Sequence, residues 1–160
     1  MSRSRQTIWV VSELFHPEET STGHYLTQIA AGMTSEFRVK VLCSQPTYSQ
    51  RGQRAPWRER YRGMEIIRCW STTLNRNSLL LRLINLVTIS LSVFWQAVRR
   101  FRRGDRVLVV TNPPLLPYVI LLASRLRGSI PMLLVHDVYP DVLRILGAES
   151  KASLLFPALD

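Results

Sequence analysis

The sequence predicts an α/β fold built on a doubly wound, mainly parallel sheet. The first observation is a pair of short apolar runs, residues 107–110 (VLVV) and 132–135 (MLLV), joined through a leucine-rich helical segment. Strands buried on both faces of a parallel sheet read as continuous apolar runs of this kind. The second is the change to polar or proline residues at the end of each run: Thr111-Asn112-Pro113-Pro114 after one and His136-Asp137 after the other. Open α/β sheets bind ligands beyond the carboxyl ends of their strands, so a site is expected near Asn112 and His136. The third is the alternation of strand-like and helix-like segments along the chain.

Residues 8–11 form the first β-prone run and lead into a polar loop, residues 15–22, that contains Pro17. Ser21 or Thr22 is placed to cap a helix starting near Gly23, with Tyr25, Leu26, Ile29, Ala30 and Met33 at helical spacing. Residues 37–42 alternate apolar and basic and predict a second strand. Residues 45–62 hold prolines and arginines without periodicity and read as a basic loop, long enough to be functional or mobile. Residues 64–70 predict a third strand.

Residues 78–103 match the length of a membrane span, which wants roughly 20 mainly apolar residues. Arg82, Asn85, Thr88, Ser90, Ser92 and Gln96 interrupt them. One reading packs a long helix on the sheet through Leu83, Leu86, Val87, Ser90, Val93, Phe94 and Ala97. A second keeps that helix in the fold and rests its outward Leu79, Leu80, Ile84, Leu91 and Trp95, with Arg99, Arg100, Arg102 and Arg103, on an anionic membrane face. A third is a true span.

At 160 residues and 46% apolar composition, one domain with a proper core is expected. The 21 Lys+Arg against 11 Asp+Glu give a net charge of +10, which favours anionic partners: nucleic acid, phosphorylated metabolites or an acidic bilayer. Cys43 and Cys69 lack metal-ligand spacing and the three histidines do not cluster, so no metal site and no cofactor is expected, and the cysteines read as reduced. The apolar run after the basic amino terminus is shorter than the roughly 7 to 15 residues of a signal-peptide core, which points to the cytoplasm.

In residues 13–25 (ELFHPEETSTGHY), Gly23 at a helix mouth lets backbone amides approach a phosphate that the helix dipole also favours; a plain helix start reads the same way. His16 and His24 read as surface residues. His136 is placed to donate to a phosphate or a sugar hydroxyl, or to be structural, and Asp137 and Asp141 could cap the next helix.

Phe15-His16-Pro17-Glu18-Glu19-Thr20 with Gly23 and Tyr25, Gln45-Pro46-Thr47-Tyr48, Tyr61-Arg62-Gly63, Thr111-Asn112-Pro113-Pro114 and His136-Asp137-Val138-Tyr139-Pro140-Asp141 occur in an order that resembles family 4 glycosyltransferases. More narrowly, the pattern resembles the bacterial branch that builds surface polysaccharides such as colanic acid and O-antigen. The resemblance implies a Rossmann-like domain forming the amino-terminal, acceptor-side half of a GT-B fold. It implies sugar transfer with retention, without a catalytic metal, from a nucleotide sugar to a polyprenyl-diphosphate-linked saccharide at the inner face of the plasma membrane. His136 would be the catalytic residue facing the transferred sugar, and Thr22, Gly23, Asn112 and Asp137 would bind substrate. Many members of that family carry a Gly-Gly pair in the first loop, where in this chain Ser21-Thr22 precede a lone Gly23. Residues 1–160 correspond to the first domain alone, incomplete at its carboxyl end and lacking the donor-binding domain with its pair of glutamates. Two readings stand, a truncated product or one subunit of a split enzyme whose donor-binding domain is a separate polypeptide, and the chain alone is expected to be inactive.

Two other classes compete with this reading. A basic nucleic-acid-binding module would interleave its arginines with exposed aromatics or set them on a recognition element, which this sequence does not do. A non-catalytic scaffold would use the apolar residues near the carboxyl end to hold another transferase.

Overall fold

The computed structural model describes residues 5–46, 54–74 and 78–135. Six strands and three α-helices follow in the order β1 (Thr7–Val11), α1 (Ser21–Gly32), β2 (Arg38–Ser44), β3 (Arg58–Tyr61), β4 (Met64–Cys69), α2 (Leu79–Arg100), β5 (Arg106–Val110), α3 (Leu116–Arg127) and β6 (Ile130–Leu134); a 3-10 turn, Met33–Ser35, extends α1. One sheet runs β3-β4-β2-β1-β5-β6, with every pair parallel except β3 with β4. The doubly wound, mainly parallel α/β architecture read from the sequence is the one observed.

Alternation along the strands divides the interior in two. Trp9, Val11, Leu42, Ile67, Val107 and Val109 meet Ile89, Val93 and Ala97 of α2 and Leu116, Ile120 and Ala123 of α3. Ile8, Val10, Val39, Val41, Ile66 and Val110 point the other way and meet Phe15 with Leu26 and Ala30 of α1. The central strands are thus enclosed on both faces, which is why most of their residues are apolar.

Four expectations are corrected. The basic loop 45–62 ends in a strand: β3 pairs antiparallel with β4 across a two-residue turn, Arg62-Gly63, both at positive φ (47° and 80°) as a primed hairpin turn requires. The cap of α1 is Thr20, whose side chain accepts from the Gly23 amide, so Ser21 and Thr22 lie inside the first turn. Leu83 and Val87 of α2 are exposed, while Ile89 is buried: the helix rests on the sheet only through its second half. Among the described residues the run 132–135 belongs to a strand at the sheet edge, β6, paired with β5 alone, with Ile130, Leu133 and Val135 exposed.

Helix α2 therefore packs on the sheet, and by length and composition it is also the one described helix that could cross a membrane. Its polar interruptions have structural work. Asn85 accepts from the Leu74 amide and the Thr72 hydroxyl and donates to the Leu74 carbonyl, and Thr88 accepts from the Thr72 amide, which fixes the chain leaving β4.

Candidate functional site

The strand order reverses at β1, which has β2 on one side and β5 on the other. Connections from β1 and β5 leave in opposite directions across the sheet and open a crevice at their carboxyl ends. Two sequence-predicted segments lie at this edge, each following its strand: the β1–α1 loop with Thr22 and Gly23, and the segment after β5 with Asn112. His136 and Asp137 follow β6, which ends at the same edge, and they lie outside the described residues.

The β1–α1 loop is tightly held. Ser44 donates through both its amide and its hydroxyl to the Glu13 carbonyl (3.1 and 2.8 Å), joining the exits of β1 and β2. The Thr27 hydroxyl donates to the Gly23 carbonyl (2.7 Å) and accepts from the His16 amide (3.2 Å), which pins the loop to α1. Gly23 is packed against that loop. A Cβ there would stand 2.9 Å from the Glu18 carbonyl oxygen and 3.1 Å from Thr20 Oγ1, so a larger residue would push the loop away. The Gly23 amide donates to Thr20 and the His24 amide to the Thr20 carbonyl. No acidic residue stands inside the first turn of α1, whose positive dipole end favours an anion, although Glu18 and Glu19 directly precede its cap. Thr22 and Asn112 are half-buried, and the Asn112–Pro113 peptide bond, like His16–Pro17, is cis.

Beside this loop stands a polar cluster that sequence reading missed. Arg68 lies on β4 with its side chain 1% exposed, ion-paired with Glu59 of β3, and it donates to Cys43 Sγ at 3.3 Å. Its Nε has no hydrogen-bond partner among the described residues. The His16 ring stacks on Tyr61 of the hairpin, and Arg62 stands over Tyr61 while donating to Gln28 of α1. Burial pushes the His16 pKa down, with Arg68 and Arg62 adding to it and Glu59 opposing. An arginine inside an apolar strand (MEIIRC) was the available signal, because a buried charge requires a partner. The partner, on a strand whose only apolar residue is Tyr61, gave none.

No protein-family model matches the chain. Over 152 residues it is 32% identical to "Probable glycosyltransferase WbjE" of Pseudomonas aeruginosa, covering 95% of this chain and 37% of that protein. Its fold is similar to that of sucrose-phosphate synthase from Thermosynechococcus elongatus, with TM-score 0.61 and 13% identity over 92% of this chain and 37% of the synthase. The chain thus spans 37% of the length of each. The structural likeness identifies the fold as one half of a GT-B arrangement.

Among the described residues no group of three or more His, Cys, Asp or Glu side chains could hold a metal ion. What the described part of the crevice offers is a helix amino terminus, hydroxyl and amide side chains, and a loop braced from two sides. These suit recognition of a hydroxylated or anionic ligand by hydrogen bonds.

Proposed function

We propose that this chain is the acceptor-side half of a glycosyltransferase that moves a sugar from a nucleotide sugar to a polyprenyl-diphosphate-linked saccharide in cell-surface polysaccharide synthesis. The observation that carries the reading is the identity to a probable glycosyltransferase along 95% of this chain. In this reading transfer proceeds with retention, the α1 amino terminus with Thr22 and Gly23 faces the reacting phosphates, and Asn112 and Asp137 position the acceptor. His136 faces the transferred sugar. The facing wall, which binds the donor, comes from a second domain or subunit, because stabilising a departing diphosphate needs donors placed on its far side.

Work at the inner face of the plasma membrane is part of the same reading. It is supported by the net charge of +10 and by the exposed apolar residues of α2, including Leu79, Leu80, Leu91 and Trp95.

The test is a transfer assay with a panel of nucleotide sugars and a polyprenyl-diphosphate-linked saccharide, run with the chain alone and with a donor-binding domain supplied. Acceptor binding by the chain alone, and transfer only with both halves, are expected. Failure of the acceptor to bind the chain overturns the assignment.

A further inference from the structure

At the sheet edge opposite the crevice, the amino ends of β1 and β2 and the carboxyl end of α2 border a cavity of about 440 Å³. Six basic side chains line it: Arg38, Lys40, Arg99, Arg100, Arg102 and Arg127. Its one carboxylate, Asp105, is already engaged by the Trp9 indole (2.9 Å) and the Arg102 amide (3.0 Å). Of the six cations only Lys40 is ion-paired among the described residues, with Glu65 at 3.1 Å. Arg100 and Arg127 each donate through Nε, to Gln96 and to the Phe101 carbonyl. The guanidinium groups of Arg38, Arg99 and Arg102 have no hydrogen bond among the described residues. Burial and the nearby Arg58 and Arg99 charges push the Arg100 pKa down, against Glu65 and Cys69.

Six cations gathered in a concave site against two carboxylates, Asp105 and Glu65, repel one another, and an anion with several acceptor oxygens relieves that repulsion. Phosphate matches the planar fork of arginine. The source of the phosphate is indicated by α2. Leu80, Ile84, Val87, Leu91 and Trp95, all exposed, recur every three or four residues, and the stripe they form ends at Arg99, whose guanidinium lies 4.7 Å from the Trp95 ring centroid. An apolar stripe finishing in an aromatic ring and basic residues is the pattern of a helix lying in a lipid interface.

We propose that the cavity receives the phosphate of an anionic lipid headgroup while the α2 stripe lies along the acyl boundary, an inference that rests on the membrane part of the function proposed above. The test is flotation of the full chain with phosphatidylcholine vesicles, with and without phosphatidylglycerol, at physiological salt. Two doubly substituted chains of equal charge are compared: Arg38→Glu/Arg102→Glu in the cavity, and Arg54→Glu/Arg125→Glu, exposed positions that do not line it. Melting curves establish that both fold. The expected result is about tenfold weaker binding of the cavity variant to anionic vesicles, with the control near the wild type. Equal weakening of both overturns the headgroup site and leaves the membrane reading standing. A wild-type chain indifferent to anionic lipid overturns both. Thermal stabilisation by inorganic pyrophosphate in a chain that ignores vesicles reassigns the cavity to a soluble phosphate and overturns the lipid proposal.

Discussion

His16 and Tyr61 stack ring on ring, their centroids 3.7 Å apart and their planes 8° from parallel. Through this contact the β1–α1 loop, which borders the crevice, is braced by the β3–β4 hairpin at the far side of β2. The stack covers His16, and that burial, aided by Arg68 and Arg62 and opposed by Glu59, lowers its pKa from 6.5. A histidine held neutral in the folded chain contributes stability that is complete above the unfolded value and is lost as pH falls through the lowered one. Denaturant titrations should therefore show stability declining as pH drops below about 6.5, and His16→Gln should flatten that decline. A slope unchanged in the variant would refute the assignment, and Tyr61→Leu should move the imidazole midpoint seen by NMR back up.

Glu59 exists to neutralise Arg68. With Glu59 removed, Arg68 stays buried with only a thiol beside it, so Glu59→Ala should cost about 2 to 4 kcal/mol, discounted slightly because the Glu59 side chain is 23% exposed. Replacing both, as Arg68→Met/Glu59→Leu, removes the desolvation cost along with the attraction and should leave stability within about 1 kcal/mol of the wild type. Urea denaturation of the two variants measures this. A double variant weaker than Glu59→Ala would mean that the pair attracts by more than its burial costs.

These contacts mark the limit of what the sequence discloses. The strands β1, β4 and β5 were legible because burial on both faces forces mainly apolar runs, and β2 because its apolar and basic residues alternate. The four residues of β3, Arg-Glu-Arg-Tyr, were not, because an edge strand carries no such demand. Helix α2 was legible in length but not in face: an apolar stripe surrounds most of it, and only contact with the sheet from Ile89 onward decides which part is inside. The crevice could be placed from strand ends and the loop glycine. The His16–Tyr61 stack joins two irregular segments and leaves no periodic trace.

Gly23 and Gly32 lie on the same helix and should respond oppositely to alanine. At Gly23 the added carbon meets the Glu18 carbonyl oxygen at 2.9 Å, a backbone atom that cannot swing aside, so Gly23→Ala should destabilise by about 1 to 3 kcal/mol. It should also displace the Glu18–Thr20 segment. At Gly32 nothing lies within 4 Å and the backbone is helical at φ −59°, so Gly32→Ala should stabilise by about 0.4 to 1 kcal/mol. Thermal melts of both variants give the comparison, and a neutral Gly23→Ala would show that the loop yields.

The two thiols report on how the sheet opens. Cys43 and Cys69 are free and buried, on β2 and β4, facing opposite sides of the sheet. Burial raises their pKa values to about 11 and about 12, so each is protonated at neutral pH as well as shielded. A thiol reagent should label neither in the native chain except through unfolding, with a rate that follows the population of the open form. Glu59→Ala, by lowering stability about 2 to 4 kcal/mol, should then accelerate labelling roughly thirtyfold to several-hundredfold. Because β2 and β4 are neighbours at the centre of the fold, both thiols should accelerate together. Acceleration of Cys43 alone would mean that the β3 hairpin lifts from the α1 face while the opposite core stays closed, and rapid labelling of the unsubstituted chain would overturn the enclosed setting of Arg68 itself.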